Sequence, residues 1–297
     1  MYHQPALLHE CIEGLSIIPS GIYADLTFGG GGHSQEILKK LNADGRLIAF
    51  DQDEDSLQNA LVDDRFTLIN ENFRYLKNFL RLYKALPLDG LLADLGISSH
   101  QIDTPERGFA TRFEGPLDMR MGRKQGTTAA QMVKSYTEEK LRNVFKLYGE
   151  LSNARQLASA IVQARTNPIT TTNELKEAIK SCLPSNYENK ILAQIFQAIR
   201  IEINDEMGAL QAMLKQCADV LKPGGRLVVI SYHSLEDRLV KNYMKSGNID
   251  GTLEKDFYGN IIAPFKPVTR KPLTPDPAEL AGNPRSRSAK LRIAQKN

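Results

Sequence analysis

The chain has 297 residues, 41% of them hydrophobic and 25% charged, a globular balance that supports a sizeable core and one large domain or two modest ones. No apolar run reaches the roughly 18 residues of a membrane span, and the opening stretch MYHQPALLHECIEGL carries acids and no basic start, so neither a span nor a signal peptide is indicated and a cytoplasmic protein is expected. The net charge of +3 is uneven: residues 266–297 hold eight Lys/Arg and two acids, a net +6 that leaves −3 on the remainder and marks a basic C-terminal face.

In chain order, a strand in GIYADLTF (21–28) is followed by a helix over 33–41, a strand in GRLIAFD (45–51) and a helix near 54–61. A strand in RFTLIN (65–70), a helix over 75–83 and a strand in LDGLLADL (88–95) continue the pattern. Four strands with crossover helices predict a parallel, doubly wound α/β sheet. From 104 to about 200 loops and helices replace this rhythm, which predicts an all-helical subdomain inserted between the fourth and fifth strands. Two helix starts there read as capping boxes, Ser135-x-x-Glu138 and Thr171-x-x-Glu174, ahead of helically spaced Leu141, Val144, Phe145 and Leu175, Ile179. A long helical stretch ending near Leu221, the turn KPGG, the strand RLVVIS (226–231), a helix over 235–244 and a late strand SAKLRIA (288–294) complete the pattern. Residues 263–284 carry six prolines and are assigned no secondary structure. The expected domains are 1–103, the first part of the core; 104–200, the helical insertion; and 201–297, the second part of the core with its basic strand.

The stretch DLTFGGGGHS (25–34) places four glycines between the first strand and a helix. Glycines there permit positive φ and let a ligand approach the main chain with no Cβ in the way, although a plain tight βα turn uses them too. A dinucleotide site also wants an acid closing the second strand, and Asp51 supplies one 22 residues after Gly29. Two features point instead to S-adenosylmethionine: Asp25, four residues before the first glycine, suits an ammonium group, and the spacing is not the G-x-G-x-x-G that seats a pyrophosphate on a helix N-terminus. Ligands in such sheets lie across the carboxyl ends of the strands. Near those ends Asp51 suits ribose hydroxyls, Phe73 an adenine face, and Asp94 an adenine or amino group.

Beyond the fourth strand, DLGISSHQ (94–101) stands where many amino-methylating enzymes carry a polar-Pro-Pro-aromatic motif, which is absent here. An exocyclic amine conjugated to a base is a weak nucleophile, so its lone pair must be aimed and its N–H groups accepted. Asp94, backbone carbonyls, Ser98 and Ser99 are suited to that task. Asp118 and Arg120 sit in the loop GPLDMRM (115–121), and ISYHSLEDR (230–238) ends the fifth strand with Ser231, Tyr232 and His233, where a flipped base can stack on Tyr232. No G-x-S-x-G elbow accompanies the serines, which argues against a hydrolase triad. Cys11, Cys182 and Cys217 lie far apart without a C-x-x-C, so free thiols are expected, with neither a disulfide framework nor a metal site. The tail NPRSRSAKLRIAQK alternates Ala289, Leu291 and Ile293 with Lys290 and Arg292; with Lys266, Arg270, Lys271, Arg285 and Arg287 it reads as a phosphate-binding face.

The words DLTFGGGGHS, DGLLADLGISSHQID, RGF, PLDMRM, YGE, FQAIRIEIN, ISYHSLEDR and NPRSRSAKLR together resemble the MraW/RsmH family over nearly the whole chain. The resemblance implies an α/β, Rossmann-like class I S-adenosylmethionine-dependent methyltransferase core with an inserted all-helical subdomain. It implies methylation of the N4 amine of a cytidine in the decoding region of small-subunit (16S) ribosomal RNA. S-adenosylmethionine is then the cofactor, contacted at Gly31, Gly32, His33, Asp51, Phe73, Asp94 and Gln101, and no metal is needed. The partner is small-subunit ribosomal RNA or the assembling small subunit, gripped by the insertion and the basic C-terminal face. Asp94, Ser98, Asp118, Tyr232 and His233 are the expected catalytic and target-pocket residues. The segment ENKILAQIFQAIR lacks the family's His-Pro-Ala-x-Arg before FQA, and Tyr232 replaces a usual Phe. Two alternatives stand beside this reading: a methyltransferase acting on another amine, in DNA or a small metabolite, and a non-catalytic RNA-binding factor.

Overall fold

The computed structural model describes residues 5–124 and 126–297. The chain forms two compact units, one reaching to Gly96 and resuming over Gly208–Asn297, the other Ile97–Met207. The first unit opens with α1 (Leu8–Leu15), then alternates β1 (Ile22–Asp25), α2 (Gly32–Lys40), β2 (Arg46–Phe50), β3 (Phe66–Ile69), α3 (Leu76–Leu82) and β4 (Leu88–Asp94). The runs IYAD, RLIAF and LDGLLAD are buried almost throughout, as parallel strands covered on both faces require. The helix expected near 54–61 is a 3-10 turn, Glu54–Asn59, capped by the Asp53 side chain. Ser56 is its one buried residue, so it has no apolar stripe to dock as an α-helix.

In the second unit the regular elements are all helices: α4 (Ser99–Asp103), α5 (Ala129–Ser135), α6 (Glu138–Tyr148), α7 (Ala154–Ala164), α8 (Thr172–Ile179) and α9 (Glu188–Asn204). Leu141, Val144 and Phe145 of α6 share a core with Leu157, Ile161, Leu175, Ile195 and Ile199. The Thr171 capping box forms as expected. Ser135 does not cap: it is the last residue of α5, and Thr137 caps α6 by accepting from Lys140 N. The unit begins at Ile97 rather than 104 because Ile97 packs on this core, and it ends at Met207 because α9 continues to Asn204 as one helix. Just beyond, the Arg200 guanidinium grips the Glu206 carboxylate with two hydrogen bonds of 2.7 and 2.9 Å.

The chain returns through α10 (Glu206–Val220), β5 (Leu221–Ser231), α11 (Ser234–Ser246), β6 (Phe265–Pro267), α12 (Pro277–Gly282) and β7 (Lys290–Lys296). β5 starts five residues before the expected Arg226, because Leu221 already pairs with Leu88 across a register shift. The proline-rich stretch contributes β6, which pairs with β7, and α12, which begins with Pro277 and is capped by Asp276. The sheet order is β3-β2-β1-β4-β5-β7-β6, with β7 antiparallel to both neighbours and the first five strands parallel. β1 thus lies between β2 and β4, and the crossovers reverse there, which opens a crevice at the carboxyl ends of these strands.

The sequence reading of the last strand as a phosphate-binding face needs partial correction. β7 is an interior strand; Arg292 donates to the Asp237 carboxylate at 2.6 and 3.1 Å, and Lys296 Nζ donates to the Leu221 carbonyl at 2.7 Å. Those two cations hold the fold together, whereas Lys266, Arg270, Lys271 and Arg287 are exposed. Cys11 and Cys217 are buried and Cys182 partly so, all three as free thiols. No helix among the described residues is long and apolar enough to cross a membrane.

Candidate active site

The β1–α2 turn is fixed by its own polar groups. Asp25, at the end of β1, is 1% exposed; its Oδ1 accepts Thr27 N at 3.1 Å and its Oδ2 accepts the Ser34 hydroxyl at 2.6 Å. Burial pushes the Asp25 carboxyl up, and these two donors partly offset that. Asp25 therefore stitches the turn to α2 as well as carrying charge into it. Gly29 and Gly31 take φ of 52° and 78°, the left-handed region that favours glycine. A Cβ on Gly31 would stand 2.9 Å from the Phe28 ring, and one on Gly32 2.3 Å from Pro5 Cγ. The bare backbone is thus required by close packing of the chain on itself, whatever else approaches it.

Two further acids meet this turn. Asp51, just past β2, accepts Gly29 N on Oδ2 at 2.7 Å and Asp53 N on Oδ1 at 2.8 Å, and burial raises its carboxyl to about 7 against those stabilising donors. Asp94 closes β4; its backbone N donates to the Thr27 hydroxyl at 2.7 Å, and its Oδ1 accepts the Tyr232 hydroxyl at 2.9 Å. Burial raises Asp94 to about 6, partly offset by the Tyr232 hydrogen bond. His33, on the first turn of α2, points Nε2 at the Ala6 carbonyl, 3.2 Å away. A carbonyl only accepts, so we assign the proton to Nε2 and a lone pair to Nδ1, which faces Asp94 Oδ2 at 3.9 Å. Burial pushes the imidazole down, despite the nearby Asp94 charge, and favours its neutral form. Phe73, half-buried, begins a 3-10 turn at Phe73–Tyr75 whose cap, Asn72, accepts Arg74 N.

Tyr232 follows β5, and burial together with Asp94 raises its phenol far above the ordinary range. Its backbone N donates to Glu236 Oε2 at 2.9 Å. His233 Nε2 lies 3.1 Å from Glu236 Oε1, off the line a hydrogen bond needs, so both ring nitrogens are buried without a hydrogen-bond partner among the described residues. Gly31, Gly32, His33, Asp51, Phe73, Asp94, Tyr232 and His233 all belong to the first unit. Of these, His33, Asp94 and Tyr232 are joined directly, and Asp51 joins the turn through Gly29.

The remaining expected residues belong to the second unit. Ser98 and Gln101 form the capping box of α4: Ser98 Oγ accepts Gln101 N at 3.2 Å and Gln101 Oε1 accepts Ser98 N at 3.1 Å. Asp118 grips Arg120 with hydrogen bonds of 2.8 and 2.9 Å; burial pushes its carboxyl up, but the Arg120 donors prevail and hold it below the ordinary range. Sequence reasoning passed over Thr27, Ser34 and Glu236. The first two are polar residues flanking the glycines, the signal by which they were findable, but Glu236 shows only as one acid in a polar helical stretch.

Among the described residues no Lys or Arg shields Asp51 or Asp94, which leaves desolvated carboxylates beside a turn of bare backbone. A ligand bearing positive charge and hydroxyl groups relieves that arrangement, so these residues fit S-adenosylmethionine. The strand order with its reversed β7 and this strand-end site define a class I S-adenosylmethionine-dependent methyltransferase. The chain belongs to the MraW methylase family, whose model matches residues 1–297. It is 59% identical over 296 residues to the ribosomal RNA small subunit methyltransferase H of Flavobacterium johnsoniae, covering 99% of this chain and 98% of that one. It is 56% identical over 296 residues to the protein of the same name from Bacteroides thetaiotaomicron, covering 99% and 97%. Among solved structures, a rRNA methylase from Streptococcus thermophilus aligns with TM-score 0.41 at 13% identity, over 97% of this chain and 93% of that one. A Streptococcus mutans protein solved in complex with SAH aligns with TM-score 0.43 at 13% identity, over the full length of both.

Proposed function

We propose that the chain methylates ribosomal RNA of the small subunit, at the N4 exocyclic amine of a cytidine in the decoding region. The observation that carries this is the 55–59% identity to proteins named ribosomal RNA small subunit methyltransferase H, over at least 98% of this chain. The cofactor supplies an activated methyl on a sulfonium, so the protein needs only to bind, orient and accept a proton. Asp51 would hold the ribose hydroxyls, Phe73 would face the adenine, and the backbone at Gly31, Gly32 and His33 would let the donor sit close; Gln101 would add a further contact. Asp94 would aim the amine by accepting one of its N–H groups, and would take the proton the amine gives up on methylation. Tyr232 keeps that carboxylate ionised and in place, and with Ser98, Asp118 and His233 it shapes the target pocket. A base within an RNA helix is out of reach, so the cytidine is flipped or presented unpaired, with the helical unit and the exposed C-terminal cations gripping the backbone.

The test is transfer of labelled methyl from S-adenosylmethionine to purified small ribosomal subunits that lack native modification, followed by nucleoside analysis. Label in N4-methylcytidine is the expected result. Label in another nucleoside keeps the methyltransferase and overturns the target, and DNA or metabolite labelling in place of RNA overturns the substrate class.

A further inference from the structure

Residues 253–262 of the first unit form a turn that the site above does not use. Its backbone is closed by a Lys255–Ile261 bridge and by Ile262 N donating to the Glu254 carbonyl at 2.9 Å. The Asp256 carboxylate accepts Tyr258 N, Asn260 N and Asn260 Nδ2 at 2.8–2.9 Å, and these donors hold it below the ordinary range. The tip carries Phe257 and Tyr258, 97% and 86% exposed, with ring centroids 5.7 Å apart and planes at 88°. A turn closed by polar groups in this way does not need the rings for its own stability, yet it fixes the backbone from which they project into water. Large aromatic residues left in water on a pinned turn mark a binding surface.

The surroundings decide what binds. Lys255, Lys266, Arg270 and Lys271 are exposed on the same stretch of chain, against exposed Asp250 and Glu254, with Asp256 committed to the turn. The centre of a protein–protein interface is depleted of lysine and acidic residues, which fits this narrow tip poorly to a second copy of the chain. Aromatic rings among cations are instead how single strands are held: the rings stack on base faces and the cations meet phosphates. We propose that the Phe257–Tyr258 tip is a stacking platform for an unpaired nucleobase of the RNA substrate, other than the base that is methylated. This rests on the RNA reading above. Stacking is tolerant of base identity and carries no counterion release, so the platform adds affinity without adding salt dependence.

The chain contains no tryptophan, so Phe257→Trp installs a single reporter at the tip. A single-stranded 12-mer of small-subunit rRNA sequence should quench it, and an abasic 12-mer of the same charge should quench it much less. Phe257→Ser with Tyr258→Ser should raise KM for small subunits about tenfold, or about 1.4 kcal/mol, with cofactor affinity, kcat and the salt slope unchanged. Both side chains are exposed, and an unchanged melting temperature confirms that the variant folds. Equal quenching by the abasic strand, or a KM within about twofold of wild type, overturns the platform. So does light scattering that shows a wild-type dimer dissolved by the double substitution with KM unaltered. If small subunits accept no methyl while the 12-mer still quenches selectively, the target assignment fails and the platform stands.

Discussion

Replacing Asp94 by asparagine separates what its charge does for chemistry from what that charge costs the fold. Burial raises the Asp94 carboxyl from its ordinary 3.8 to about 6, so the folded protein resists the ionisation that the unfolded chain undergoes freely. Below about pH 4 both states are protonated and the penalty is absent; it grows between about pH 4 and 6 and is complete above that. Roughly two pH units correspond to about 3 kcal/mol as an upper bound. The side chain is 21% exposed, so water screens part of this and about 1–2 kcal/mol is expected. Asparagine escapes the penalty: its carbonyl can still accept from the Tyr232 hydroxyl, and its amide faces the His33 Nδ1 lone pair. For a chain of this size 1 kcal/mol shifts the melting temperature by about 2–4 °C. Asp94→Asn without cofactor should therefore melt about 2–8 °C higher than wild type at pH 7.5, with the gap narrowing below about pH 6 and closing only near pH 4 or below, while methyl transfer is lost. Thermal melts across that pH range, paired with the labelling assay, read both effects. A variant less stable at pH 7.5, or a gap that ignores pH, refutes the reasoning.

Gly31→Ala forces a left-handed φ of 78° and a Cβ 2.9 Å from the Phe28 ring; urea unfolding should show a loss of about 2–3 kcal/mol, and a loss under about 0.5 kcal/mol would contradict the packing account. Binding a cofactor whose hydroxyls donate to Asp51 and whose positive charge lies near Asp94, the two raised to about 7 and about 6, lowers both, so cofactor binding between about pH 6 and 7 should release protons. Calorimetry in buffers of different ionisation enthalpy measures that release, and heats independent of buffer would refute it. Asp118→Ala leaves the Arg120 guanidinium without its carboxylate and should reduce transfer at saturating RNA at least about tenfold while cofactor affinity holds. If it and Tyr232→Ala both transfer at the wild-type rate, the target-pocket assignment is wrong.

The strands β1, β2 and β4 were legible because they are buried almost throughout and therefore read as nearly continuous apolar runs, from IYAD to LDGLLAD. Helix starts were legible where one hydroxyl stood ahead of the apolar period, as at Thr171. The start read at Ser135 was wrong, because α5 runs through Ser135 and Thr137 is the hydroxyl that caps α6. β6 and α12 were hidden because a three-residue strand containing Pro267 exists only by pairing with residues 294–296 of β7. Long-range charge pairing was equally hidden. The alternation KLRIA showed a charged face but not that Asp237, 55 residues before Arg292, neutralises part of it.

At the site, the sequence located the acids at the strand ends but not their double duty. Asp25 and Asp51 secure the glycine turn by accepting Thr27 N, the Ser34 hydroxyl and Gly29 N, and Asp94 is tied to the same turn through Thr27. A side chain that both builds a turn and faces its ligand gives the same signature for either role, a polar residue beside glycine, and only its partners tell the two apart. Asp25 has both oxygens committed within the turn and is sealed from solvent, so its part is to hold the backbone. Asp94 spends one oxygen on Tyr232 and leaves the other facing a histidine lone pair that offers it no proton. That oxygen keeps some access to solvent, the side chain being 21% exposed, so it is the position at which a donor from cofactor or substrate can replace water.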